Sequence, residues 1–197
     1  MRVLIACEFS GVVRDAFKAL GHHACSCDLL PSEVPGLHYQ GDVRHLLDGW
    51  EPVIFTAQCD PDWDGWCKIV DDDPSNCDCI GPTQDGAEYI ELGGVLFGRK
   101  KDHPRWDLMI AHPPCTYLAV SGLHWNKRIP GRSEYTELAL DFIRELLAAP
   151  IERICLENPV GCISSRIRKP EQTIQPWWFG DDASKKTCLW LKNLPLL

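Results

Sequence analysis

The stretch RVLIACEFSGVVRDAFKALGHHACSCDLL, residues 2–30, decides the architecture. RVLIAC (2–7) is a short apolar run with the length of a buried strand rather than of a helix. In FSGVVRDAFKALG the residues Val12, Val13, Phe17 and Leu20 recur near helical spacing, and Gly21 supplies a stop. HHACSCDLL reads as a second strand that ends at Asp28. Strand, helix and strand in this order open a parallel α/β sheet.

Further along, Gly41-Asp42 opens a turn, and WDLMIAH (106–112) brings the sheet back. SEYTELALDFIRELLAA (133–149) is the clearest helix: Leu138, Leu140, Phe142, Ile143, Leu146 and Leu147 form its apolar face, with Ser133 as the expected N-cap. ERICLENP (152–159) and TCLWLKNL (187–194) read as two more strands. Residues 57–103 interrupt the pattern with Asp, Gly, Pro and Cys at turn-like density, and EYIELGGVLFGR within them reads as a hairpin about Gly93-Gly94. The expected organisation is an α/β domain formed by 1–56 and 104–197, carrying an acidic, cysteine-rich insertion at 57–103.

Length and composition suit this arrangement. The chain has 197 residues and 45% hydrophobic content, enough for one sizeable core. No apolar run approaches the ~20 residues that span a bilayer, and no basic-then-apolar leader opens the sequence. The expectation is a soluble, cytoplasmic protein. Its eleven cysteines are an odd number in such a setting, which favours reduced thiols, a metal site or a nucleophile over a disulfide framework. The net charge of −8 is unevenly spread: Ala57–Gly94 holds ten acidic residues against one base, Lys68, so this segment carries −9 and the remainder +1. A nearly neutral body does not exclude a nucleic-acid partner. Within the insertion, Cys59, Cys67, Cys77 and Cys79 match the ligand number of a structural zinc, although C-x7-C-x9-C-x-C is not the paired CxxC spacing.

AHPPCTYLAVSG (111–122) carries the chemistry. Pro113 and Pro114 fix φ near −65° directly before Cys115, just past the end of a strand, where open α/β sheets bind ligands. Glu157-Asn158-Pro159 ends the next strand, so a thiol and a carboxyl can share one cleft. That pair suits addition of a thiolate to a conjugated ring while the acid protonates a ring nitrogen. In Ser-Arg-Ile-Arg (165–168), an extended backbone would point Arg166 and Arg168 the same way, toward a carbonyl oxygen or phosphate. SGLHWNKRIPGR (121–132) sets Lys127, Arg128 and Arg132 beside His124 and Trp125, a mixture that holds phosphates and stacks on bases. Lys185 and Lys186 add charge near the last strand, and Trp177-Trp178 is assigned to core or sheet edge.

Phe9-Ser10-Gly11, His112-Pro113-Pro114-Cys115, Glu157-Asn158-Pro159 and Arg166-x-Arg168 occur in this order, and with them the sequence resembles the DNA cytosine-5 methyltransferase family, especially its small phage and prophage type. The likeness runs, with gaps, through most of the chain outside 57–103. It implies a Rossmann-like, class I S-adenosylmethionine-dependent methyltransferase sheet. It also implies Phe9, Gly11, Asp28, Asp42 and Pro114 as cofactor contacts, with Asp28 on the ribose hydroxyls and Asp42 on the adenine amine. Cys115 would attack C6 of a flipped cytosine in DNA, Glu157 would protonate N3, and Arg166, with Arg168 beside it, would hold O2. Relatives of full length carry a recognition region after the arginine motif, so a chain ending at Leu197 is expected to be a shortened form. Two alternatives stand beside this reading: methylation of a free pyrimidine nucleotide, and an inactive methyltransferase-like module that binds DNA or a partner.

Overall fold

The structure is a computed structural model describing residues 1–52, 88–92, 95–99 and 106–197. Its centre is a mixed α/β fold with a mostly parallel seven-stranded sheet. In chain order the elements are β1 (Arg2–Ala6), α1 (Val12–Ala19), β2 (His23–Asp28), β3 (His38–Gln40), β4 (Glu51–Pro52), β5 (Glu88–Leu92), β6 (Val95–Arg99), β7 (Leu108–Ala111), α2 (Val120–Leu123), α3 (Arg132–Ala148), β8 (Arg153–Pro159), α4 (Ile163–Arg166), β9 (Gln172–Ile174) and β10 (Thr187–Lys192). The large sheet runs β3-β2-β1-β7-β8-β10-β9. Its first five strands are parallel, and β10 lies antiparallel between β8 and β9. Chain order reverses direction between β1 and β7, which sets a crevice at their C-terminal ends.

Strand composition explains the placement. All five residues of β1 are buried, as a central strand covered on both faces demands. In β8 the side chains alternate, with Ile154, Leu156 and Asn158 inward, Ile154 and Leu156 joining the core that α3 covers. On one side the core joins Leu4, Met109 and Ile154 to Leu140, Ile143 and Leu146 of α3; on the other, Val3 and Ile5 meet Val13 and Phe17 of α1. Burying each such aliphatic side chain contributes about 1.5–3 kcal/mol.

Two sequence expectations need correction. The buried face of α1 includes Arg14, with no exposed surface, whereas Val12 is 70% and Leu20 73% exposed. Arg14 is satisfied there: it donates to the hydroxyls of Ser26 and Ser32 and to the carbonyls of Val34 and Pro35, fastening the 29–36 connection to the helix. A periodicity count scores Arg14 as a solvent residue because it cannot see those acceptors. At α3, the N-cap position is Gly131 in a left-handed conformation (φ 76), with no side-chain cap, so Ser133 lies inside the helix.

The strands on either side of Gly93-Gly94 pair antiparallel, Leu92 opposite Val95, and β4 joins them to give a small sheet ordered β4-β6-β5. Phe97 anchors this sheet in the main core, edge-on to Tyr39 at 5.0 Å. The four insertion cysteines lie outside the described residues, as does the hairpin turn itself. Among the described residues no group of metal ligands forms and all seven cysteines are free. No described helix is long and apolar enough to cross a membrane.

Candidate active site

The parallel pair β7–β8 sets Ala111 opposite Leu156, so the segments that continue from them, His112-Pro113-Pro114-Cys115 and Glu157-Asn158-Pro159, emerge together. Side chains then tie the two tips. His112 Nδ1 lies 3.4 Å from Glu157 Oε2. Asn158, 1% exposed, donates its amide to the Pro113 carbonyl at 2.7 Å. Main chain completes the join: Ala119 and Gly161 form an antiparallel bridge, and Cys162 N–H donates to the Leu118 carbonyl at 2.9 Å. Gly161 is required by that approach, since a Cβ there would stand 2.0 Å from the Leu118 oxygen.

Cys115 sits at the start of the joined segment. Its carbonyl accepts from the N–H groups of Leu118 and Ala119, closing a helical turn behind a partly exposed thiol. Buried Pro113 and exposed Pro114 hold the approach. The backbone of the nucleophile candidate is therefore fixed by two rings, one buried amide and one turn.

A cavity of about 400 Å³ opens beside this joint, at the tips of β1, β2, β3 and β7. Three of the five cofactor candidates, Asp28, Asp42 and Pro114, line it. Phe9 and Gly11 do not: Phe9 is 37% exposed, and Gly11 caps α1 with φ 78 under the Val34 side chain. What occupies the β1–α1 turn instead is Glu8, 7% exposed, which accepts from the Ser10 hydroxyl and the Val13 N–H, each at 2.9 Å. This carboxylate at a helix N-terminus has a favourable local field, and its two hydrogen bonds hold the turn.

The opposite wall is apolar and comes from α3. Tyr135, Leu138, Ala139 and Phe142 recur at helical spacing facing the strand tips, so Leu138, 64% exposed, lines the cavity instead of the core. Tyr117 stacks on Tyr135 at 5.4 Å. Arg44 closes one side: it bridges Asp42 at 3.1 Å and Glu145 of α3 at 2.5 Å, with its guanidinium 4.8 Å from the Phe142 ring. Burial pushes the Asp42 carboxyl up, but the hydrogen bonds and charge of Arg44 outweigh it and hold Asp42 below the usual carboxylate range. Cys7, which turns the chain at the β1 tip with φ 60, also lines the cavity. Burial first, then the charges of Asp28 and Asp42, push its thiol up to about 12. A raised thiol pKa of this kind favours the neutral form of Cys7 at neutral pH.

The arginine motif departs from the expectation. Arg166 is the last residue of α4 rather than part of an extended run, and it forms a two-pronged pair with Glu137 of α3, both contacts at 2.9 Å. Arg168 turns elsewhere, to Glu171 and the Leu191 carbonyl. The helical turn rotates successive side chains away from each other, so the two guanidinium groups do not converge. The 121–132 segment is also more ordered than an open loop: α2 and a 3-10 turn (His124–Lys127) are fastened to α3 by Asn126 on the buried Thr136 hydroxyl at 2.8 Å. Lys127 and Arg128 remain exposed, Arg128 stacking on Trp125, while Arg132 packs over Tyr117 at 4.5 Å and donates to the Thr116 carbonyl.

Family models, curated proteins and solved structures were compared with the chain, and none matches. The residues themselves are therefore what bears on function. Sequence reasoning missed His112 as the partner of Glu157, Asn158 as the brace of the proline pair, Glu8 in the β1–α1 turn, and Cys7, Arg44 and Tyr135 around the cavity. The available signal was positional: each follows a strand tip or faces one from α3.

Proposed function

We propose that this chain is a DNA methyltransferase that transfers a methyl group from S-adenosylmethionine to C5 of cytosine through a covalent adduct with Cys115. The observation that carries the reading is the fastening of the Pro-Pro-Cys and Glu-Asn-Pro tips to each other, by His112 with Glu157 and by Asn158 with Pro113, beside a cavity lined by Asp28, Asp42 and Pro114. The strand order, with a reversed last strand between the fifth and the edge strand, is compatible with a class I methyltransferase sheet.

The cavity's chemistry fits the cofactor. Its volume falls within the range of small-molecule sites, two carboxylates stand at one end for hydroxyl and amine donors, and aromatic and aliphatic side chains form the remaining wall. Asp28 and Asp42 would hold the nucleoside part, with Leu29 and Phe142 against its flat face. When bound, S-adenosylmethionine supplies an electrophilic methyl group.

The protein's own groups then have distinct tasks. The Cys115 thiolate adds to C6 of the cytosine, which makes C5 electron-rich. Glu157 donates a proton to N3, so the ring accepts the sulfur without building negative charge. His112 orients that carboxyl, and Asn158 keeps the prolines from drifting. Once C5 carries the methyl group, its proton would pass to water, the C5–C6 double bond would reform as the carbon–sulfur bond breaks to release the thiolate, and the N3 proton would return to Glu157. Holding O2 by Arg166 would require release of the Glu137 pair, so that assignment depends on an exchange of partners when DNA binds.

The test is a duplex containing 5-fluorocytosine, incubated with the chain and S-adenosylmethionine. Fluorine at C5 blocks the final proton loss, so a denaturation-resistant adduct mapped to Cys115 is the expected outcome. Absence of adduct, with the cofactor bound, would leave a binding module in place of an enzyme.

A further inference from the structure

The sequence assigns Trp177 and Trp178 to core or sheet edge; the structure keeps them out of the core, just past the edge strand β9. Trp177 is 57%, Trp178 52% and Phe179 63% exposed. They form a 3-10 turn (Pro176–Phe179) ended by Gly180 in a left-handed conformation, with the two indoles edge-to-face at 5.7 Å. Single exposed apolar residues are ordinary, but three consecutive large aromatics are not.

Topology says where this cluster sits. β9 and β8 are each antiparallel to β10, so they run in the same direction. Thr187, the first residue of β10, pairs with Pro159 on one side and Ile174 on the other. The connection between Ile174 and Thr187 therefore rises from the sheet edge that carries Glu157, one strand away from it. It is far longer than the 2–5 residues that joining two antiparallel strands needs, and every residue from Trp177 to Lys186 is exposed.

We propose that this connection grips DNA: Trp177, Trp178 and Phe179 stack on bases laid open beside the flipped cytosine, and Lys185 and Lys186 hold flanking phosphates. This rests on the reading that DNA is the substrate. Charge alone cannot drive the contact, because Asp181 and Asp182 offset the two lysines. Stacking must carry it, and stacking on aromatic side chains tolerates any base. The occupant is thus a duplex with a gap in its stack rather than an intact one.

The experiment measures binding of a fluorescein-labelled duplex with one abasic site, and of its intact counterpart, by anisotropy. Wild type should prefer the abasic duplex, and Trp177→Ala/Trp178→Ala should weaken that complex at least tenfold, consistent with the loss of two stacking contacts. Trp177→Phe/Trp178→Phe should retain most of it, and thermal melting of both variants should match wild type. Binding by the alanine variant within twofold of wild type overturns the proposal, as does failure of wild type to bind the abasic duplex. A wild-type dimer at micromolar concentration that the alanine variant loses would make the aromatics a self-association surface and also overturn it. If the alanine variant loses binding but wild type forms no 5-fluorocytosine adduct, the grip stands and the methyltransferase reading fails.

Discussion

The two edges of the large sheet treat charge in opposite ways. At the N-terminal edge, Glu51 is 2% exposed and fully engaged: Arg2 donates to one carboxylate oxygen, His23 Nε2 lies 2.7 Å from the other, and Trp106 packs against both of these partners. At the C-terminal edge the polar groups are only half used. Among the described residues Glu8 Oε2, His112 Nε2, Asn158 Oδ1 and Gln175 Oε1 are buried without a hydrogen-bond partner, each at or near the C-terminal end of β1, β7, β8 or β9. The other two such atoms among the described residues, on Asn126 and Arg132, lie in the segment that follows the β7 tip. Buried polar groups are nearly always paired, and leaving one unpaired costs about 1–3 kcal/mol. One edge is thus built for stability, and the other keeps spare hydrogen-bonding capacity beside a thiol and a cavity.

Substitutions should therefore separate the two edges. The largest effect belongs to Cys115→Ser, which should reduce 5-fluorocytosine adduct to below about one-thousandth of wild type with an unchanged melting temperature; residual adduct would assign the nucleophile elsewhere. Glu157→Gln should slow adduct formation about 100- to 1,000-fold, with cofactor affinity by calorimetry within about twofold of wild type. At the other edge the pattern inverts. Glu51→Gln leaves Arg2 facing a neutral partner and should cost about 3–5 kcal/mol, read as a melting temperature lower by roughly 6–20 °C, while adduct yield at low temperature holds. Asp28→Asn should weaken cofactor binding by about tenfold, the worth of one charge-assisted hydrogen bond, and leave stability alone.

The smallest effect is in pH. Burial pushes the Glu51 carboxyl up, but His23 and Arg2 together hold it below the ordinary carboxylate range. A depressed native pKa contributes stability that is complete above the unfolded value of about 4.3 and is lost as pH falls through the native value. Wild type should lose melting temperature more steeply than Glu51→Gln below about pH 4; parallel curves would show that this edge is not the acid-sensitive one.

Much of the sheet was legible because periodicity and burial coincide in β1, β2, β7, β8 and β10. The three-residue strands β3 and β9 were not, since His38–Gln40 and Gln172–Ile174 are too short to show alternation and gain their pairing from neighbours. The Cys115 and Glu157 tips were readable as adjacent because parallel neighbours end on one edge. Side-chain direction was not: Arg166 and Arg168 depended on one helical turn, and the exposure of Trp177 and Trp178 contradicts their hydrophobicity. Arg14 shows the reverse case, a cation placed inside by backbone carbonyls brought from twenty residues away.

The backbone bridge at Ala119 and Gly161 has a consequence for substitution. Because main-chain atoms reinforce the side-chain ties between the β7 and β8 tips, part of their spacing does not depend on which side chains flank it. Substitutions in 121–132 or 176–186 would leave that main-chain join in place, whereas any side chain at Gly161 would meet the Leu118 carbonyl.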